Sequence, residues 1–138
     1  MYYIKSIMKN IIFKLIEYVY YFSLLALLIL YLFPGSLIGY FLYGNLGQQP
    51  NFIDNPFGSS VNHLIYFSYI TLLATIIRSR VKNIFNNYKV ILFISCILEI
   101  LHLIVPNRAF EFYDLIANIL GVLIVILINF FIKWPKLL

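Results

Sequence analysis

Residues 98–121 read LEILHLIVPNRAFEFYDLIANILG. Two apolar arms flank a proline, and polar side chains recur through both: Glu99, His102, Arg108, Glu111, Asp114 and Asn118. The stretch holds three of the chain's five carboxylates. The rest of the chain makes that concentration unusual. Its 138 residues are 63% hydrophobic and 11% charged, with a mean hydropathy of +0.94. A water-soluble domain of this length cannot hide so much apolar surface, so lipid is the expected solvent.

Outward from Pro106, the first arm reaches back to about Tyr88 and the second runs from Asp114 to about Ile132. Two further apolar runs precede them, at about 15–33 and 61–77. Each run has the length of a short membrane-spanning helix, roughly 17–19 residues. None alternates polar with apolar residues, and lipid forbids open sheet edges, so strands are a poor alternative. The expected fold is an all-α integral membrane four-helix bundle, one domain over 1–138, with spans at about 15–33, 61–77, 88–105 and 114–132. Pro106 is expected to stop the third span at Val105, because the residue before proline avoids helical geometry. The first run lacks a small-residue cleavage site and is expected to stay as a signal anchor.

The basic residues fix an expected direction. Lys5, Lys9 and Lys14 precede the first run, Arg78, Arg80, Lys82 and Lys89 separate the second and third, and Lys133 and Lys136 follow the fourth. Only Arg108 lies in the other two connections. The positive-inside rule then places both termini in the cytoplasm. The connection 34–60 is expected outside. Its first part, GSLIGYFLYGN, is too short to span and is expected as an interfacial helix, and GQQPNFIDNPFGSS is turn chemistry. The net charge of +5 is spread as topology requires, not clustered, so no nucleic-acid partner is expected. Glu17 is read as a local partner of Lys14, and the tyrosines of EYVYY as interfacial anchors. The single cysteine, Cys96, is read as a small buried hydrophobe.

Helical spacing brings the costly residues together. Glu99 and His102 are one turn apart, and Asp114, Asn118 and Gly121 share one face. His63 opens the second run, also at the outer side. Ionisable groups within spans face a bundle interior and have partners. Arg108 and His102 are the expected cations for Glu99. Gly121 would let a neighbouring helix approach closely. His63, Glu99, His102 and Asp114 carry atoms that zinc accepts, but no compact motif such as H-E-x-x-H is present, so neither metal nor cofactor is expected.

The pattern E-x-x-H-x-x-x-P-x-R-x-x-E-x-x-D-x-x-x-N-x-x-G, from Glu99 to Gly121, resembles the signature of the VanZ-like membrane protein family. Glu99, Pro106, Arg108, Asp114, Asn118 and Gly121 match it. His102 stands where that family usually has glutamine. Of an earlier D-K-x-x-H element only His63 fits, with Ser59 and Ser60 at the Asp and Lys positions. The resemblance is thus to a divergent member. It implies a small cell-envelope protein linked to glycopeptide antibiotic resistance, in a bacterial cytoplasmic membrane.

The leading expectation is a non-enzymatic protein whose polar pocket at the outer leaflet binds a lipid headgroup or a cell-wall-related, glycopeptide-type ligand. Glu99, His102, Arg108, Asp114, Asn118 and His63 are the expected ligand-binding residues. Two alternatives stand beside it. One is an intramembrane hydrolase or transferase with Glu99 and His102 as acid and base. The other is a structural subunit of a membrane complex, or a homo-oligomer, in which the polar residues only hold helices together.

Overall fold

The computed structural model describes residues 2–51, 53 and 58–133, apart from the side chains of residues 2–6 and 133. The side chains of Lys5, Lys133 and Lys136, and the part of the expected turn at 52 and 54–57, lie outside the described residues. All regular structure among them is helical. Five α-helices follow in order: α1 (Tyr2–Leu32), α2 (Leu37–Tyr43), α3 (Ser60–Arg78), α4 (Tyr88–Leu101) and α5 (Phe112–Lys133). A short 3-10 turn, Ile84–Asn86, sits between α3 and α4. Among the described residues three helices are long and apolar enough to cross a membrane: α1 over Ile7–Leu32, α3, and α5 over Phe112–Ile132.

Helix α1 is much longer than the apolar run at 15–33. No proline or glycine interrupts residues 2–32, so the helix continues back through the lysines. It ends at Leu32, where Pro34 excludes helical geometry from the preceding residue. The connection 34–60 does contain a helix, α2. Ser36 caps it by accepting the Gly39 N–H, and Gly44 ends it with a left-handed φ of 68°.

The third expected span needs correction. Helix α4 ends at Leu101, four residues before Val105. Residues 102–104 close instead through tighter i→i+3 bonds, such as His102 N–H to Glu99 O. Fourteen helical residues span about 21 Å, short of the roughly 30 Å hydrocarbon core. Asn107, at φ 57°, then turns the chain toward α5.

The core is built from Tyr20, Leu27, Phe67, Ile70, Ile91 and Val122, with α3 and α5 as its closest pair. Gly121 permits that closeness: a Cβ there would fall 2.6 Å from the Leu64 carbonyl oxygen. Around this core many large apolar side chains point outward, among them Phe22, Phe93, Leu127 and Phe131. Such a surface suits lipid and not water. At one end of the bundle, Arg80 donates to Asn10 and Tyr20 donates to the Phe85 carbonyl. Tyr20 is fully buried there, so it is not the interfacial anchor its EYVYY context predicts. No ion pair joins Lys14 to Glu17 among the described residues, and Cys96 is only partly buried. The other end gathers the C-termini of α1 and α4 with the N-termini of α3 and α5.

Candidate functional site

The last turn of α1 leaves carbonyls without intrahelical donors. Phe33 N–H serves Ile29 O at 3.0 Å. Side chains from the 98–121 stretch serve the others. Arg108 Nη2 donates to Leu30 O at 2.7 Å and its Nε to Phe33 O at 3.4 Å. His102 Nε2 lies 3.2 Å from Tyr31 O, an acceptor, so that nitrogen donates. Arg108 and His102 thus cap a helix end, where the guanidinium also suits its dipole. Arg108 makes no ion pair with Glu99. Burial lowers its pKa from the usual guanidinium value, against the raising influence of Tyr31, Glu99 and Asp114.

Glu99 is fully buried on α4. Its Oε1 accepts the Glu111 backbone N–H at 3.1 Å and lies 3.3 Å from His102 Nδ1. The returning loop therefore meets Glu99 with a backbone amide, not with Arg108. Glu111 itself precedes α5, and its carbonyl accepts the Asp114 and Leu115 amides. Burial raises the Glu111 pKa above the ordinary carboxyl value, and the nearby charges of Asp114 and Glu99 raise it further.

His63 and Asp114 form the second half. His63 Nε2 lies 3.3 Å from Asp114 Oδ2, and Ser60 Oγ donates to Asp114 Oδ1. His63 Nδ1 lies 2.6 Å from the Tyr31 hydroxyl and 3.2 Å from Asn118 Oδ1. Tyr31 donates to Asn118 Oδ1 at 2.9 Å, and Asn118 Nδ2 donates to Ser95 O at 3.1 Å. The Tyr31 ring stacks on His102 with centroids 5.2 Å apart. Tyr31 thus ties the two histidines together.

All six expected residues meet at this end. His63, Glu99, His102, Asp114 and Asn118 are buried, and Arg108 is half-buried. His63 is central to the network. Tyr31 and Ser60 belong to it too, though sequence reasoning did not place them there. Tyr31 carried one usable mark, a polar-tipped aromatic three residues before the Pro34 break. Ser60, read as a departure from the family pattern, is the donor to Asp114.

Two cavities adjoin the network. A polar one of about 270 Å³ is lined by His63, His102, Arg108, Glu111 and Asp114 with Leu46, Gly47 and Gln49. A smaller one of about 90 Å³ is lined largely by Leu27, Leu30, Leu37, Ile38 and Tyr66. Ser36, Gln49, His63, His102 and Arg108 line both. Glu99 lines neither. No family model, curated protein or solved structure matches the chain.

Proposed function

We propose that this is a multi-pass protein of a bacterial cytoplasmic membrane that binds the polar head of an amphiphile, without catalysis, at the outer end of a four-helix bundle. In this reading both termini and the basic connection 79–87 face the cytoplasm. The observation that carries the proposal is the pair of adjoining cavities. A polar chamber beside an apolar one, with Arg108 between them, matches a molecule with an anionic head and a hydrocarbon tail. The resemblance to VanZ-like proteins supports a lipid-linked, cell-wall-related or glycopeptide-type ligand.

The test is lipid retention by the purified chain in detergent, read by native mass spectrometry. Wild type retains phosphatidylglycerol, and Arg108→Gln loses about tenfold or more of it, as expected for a charge-assisted contact. Equal retention by a folded Arg108→Gln variant sinks the reading. For topology, single cysteines at Asn51 and Asn86 in a Cys96→Ser background label from opposite sides, Asn51 from outside. Labelling from the same side overturns the four-span arrangement.

The structural alternative draws on the dense mutual pairing of Tyr31, His63, Asn118, Ser60 and Asp114. Retention of no lipid by a stable wild-type chain favours it. The acid/base reading of Glu99 and His102 has less support, because Glu99 lies behind the cavity wall.

A further inference from the structure

Glu99 Oε2 is buried and has no hydrogen-bond partner. It lies 3.9 Å from His63 Nδ1. One ligand atom from each of His63, Glu99 and Asp114 lies within 4.8 Å of the other two. We propose that these three residues bind a first-row divalent metal ion, of the zinc or manganese class.

Proton positions follow from the hydrogen-bond network. The Asn118 amide nitrogen is committed to Ser95 O, so Oδ1 faces Tyr31 and His63. That buried oxygen needs a donor, and the Tyr31 hydroxyl and His63 Nδ1 both reach it. If Tyr31 donates, its own oxygen must accept from His63 Nδ1 at 2.6 Å. If His63 donates, Nδ1 carries the proton directly. Both routes put the imidazole proton on Nδ1. Nε2 then presents a lone pair to Asp114 Oδ2, another acceptor, 3.3 Å away. Two such acceptors need a cation. Their separation is also that of neighbouring ligands around a metal with bonds of about 2.0–2.2 Å.

Each proposed ligand has its other polar atom held. His63 Nδ1 is held by Tyr31, Asp114 Oδ1 by Ser60, and Glu99 Oε1 by the Glu111 amide. Such outer bonds orient ligands in metal sites. Movement of the Glu99 carboxylate toward the other two donors completes a three-ligand set and satisfies its orphaned oxygen. One imidazole nitrogen and two carboxylate oxygens suit zinc, manganese or ferrous iron. The polar cavity, lined by His63 and Asp114, leaves room for further oxygen ligands. The three donors lie on three helices, so no contiguous motif announces them. The competing occupant is a proton on Nε2, making an imidazolium beside Asp114.

The experiment separates these and does not depend on the headgroup reading. The full chain, without a polyhistidine tag, is purified in detergent and stripped with chelator. It is then titrated with zinc chloride and with manganese chloride. Bound metal is counted by mass spectrometry after desalting. One ion per chain is expected, with affinity falling roughly tenfold or more in Glu99→Gln and Asp114→Asn. Cys96→Ser should bind as wild type. Should Asp114→Asn fail to fold, Ser60→Ala keeps all three ligands and still weakens binding about tenfold by loosening Asp114. Metal bound well below one per chain, or unchanged affinity in Glu99→Gln and Ser60→Ala, leaves the proton as occupant and overturns the proposal.

Discussion

Replacing Gly121 by alanine tests whether the close approach of α3 and α5 sets the geometry of the site. The new Cβ would lie 2.6 Å from the Leu64 carbonyl oxygen, and 3.0 Å from Phe67 Cβ and Ser68 N. Ordinary contact begins at 3.4 Å. Two of the three obstructing atoms are backbone and cannot rotate away, so the helices must part by roughly 0.8 Å. Overpacking of this kind costs about 2–3 kcal/mol, against at most about 1 kcal/mol gained from alanine's better helix propensity. The net loss is about 1–2 kcal/mol, or a fall of roughly 3–8 °C in thermal midpoint for a chain of this size. Because α3 carries His63 while α5 carries Asp114 and Asn118, parting them also stretches the polar network. The assay is thermal unfolding in detergent, with Gly47→Ala as control. A Cβ at 47 meets nothing closer than 3.4 Å and should stay within about 0.5 kcal/mol of wild type. A Gly121→Ala midpoint equal to or above wild type would refute the packing argument.

Three further outcomes follow from the network. Tyr31→Phe removes the hydroxyl between His63 and Asn118 and should cost about 1–3 kcal/mol in the same unfolding assay, since two buried polar atoms lose a partner. Ser60→Ala strips the donor from Asp114 Oδ1 and should cost about 1.5–3 kcal/mol, as for bonds to charged groups. Glu111 has a folded-state pKa above its unfolded value, so the folded chain holds that proton more tightly. The stability this confers is present below the unfolded value and lost as pH rises through the folded one. Glu111→Gln should therefore match wild type in acid and exceed it at neutral pH. A midpoint difference independent of pH between 4 and 7 counts against this account.

Much of the fold is legible in the apolar runs. Helices α3 and α5 begin and end within two residues of their expected limits, because glycine, serine and charge bound the runs clearly. Helix α4 is overextended in the sequence reading. Pro106 marks where a helix cannot be, not where it stops, and tertiary bonds from His102 and Glu111 end this one earlier. Helix α1 is underextended, since lysines on a helix carry no stop. For the site, Glu99, His102, Asp114 and Asn118 emerge from i+3 and i+4 spacing. Tyr31 does not. A tyrosine near the end of an apolar run ordinarily reads as an anchor, and only the fold reveals three polar groups around its ring. Ser60 is silent for a related reason: a short hydroxyl becomes informative once the residue opposite it is known.

The helix-end caps on α1 have a consequence for synthesis. Leu30, Tyr31 and Phe33 are made early, yet their carbonyls wait for His102 and Arg108, and the Tyr31 hydroxyl waits for Asn118. Glu99 enters on the short helix α4, and its loop partner Glu111 comes later still. Translation at about 5–20 residues per second delays closure by several seconds after α1 emerges. The first helix thus remains unfinished until the last one arrives. A nascent chain truncated before Asn118 should therefore be a target for quality control, whereas one truncated after α5 should not.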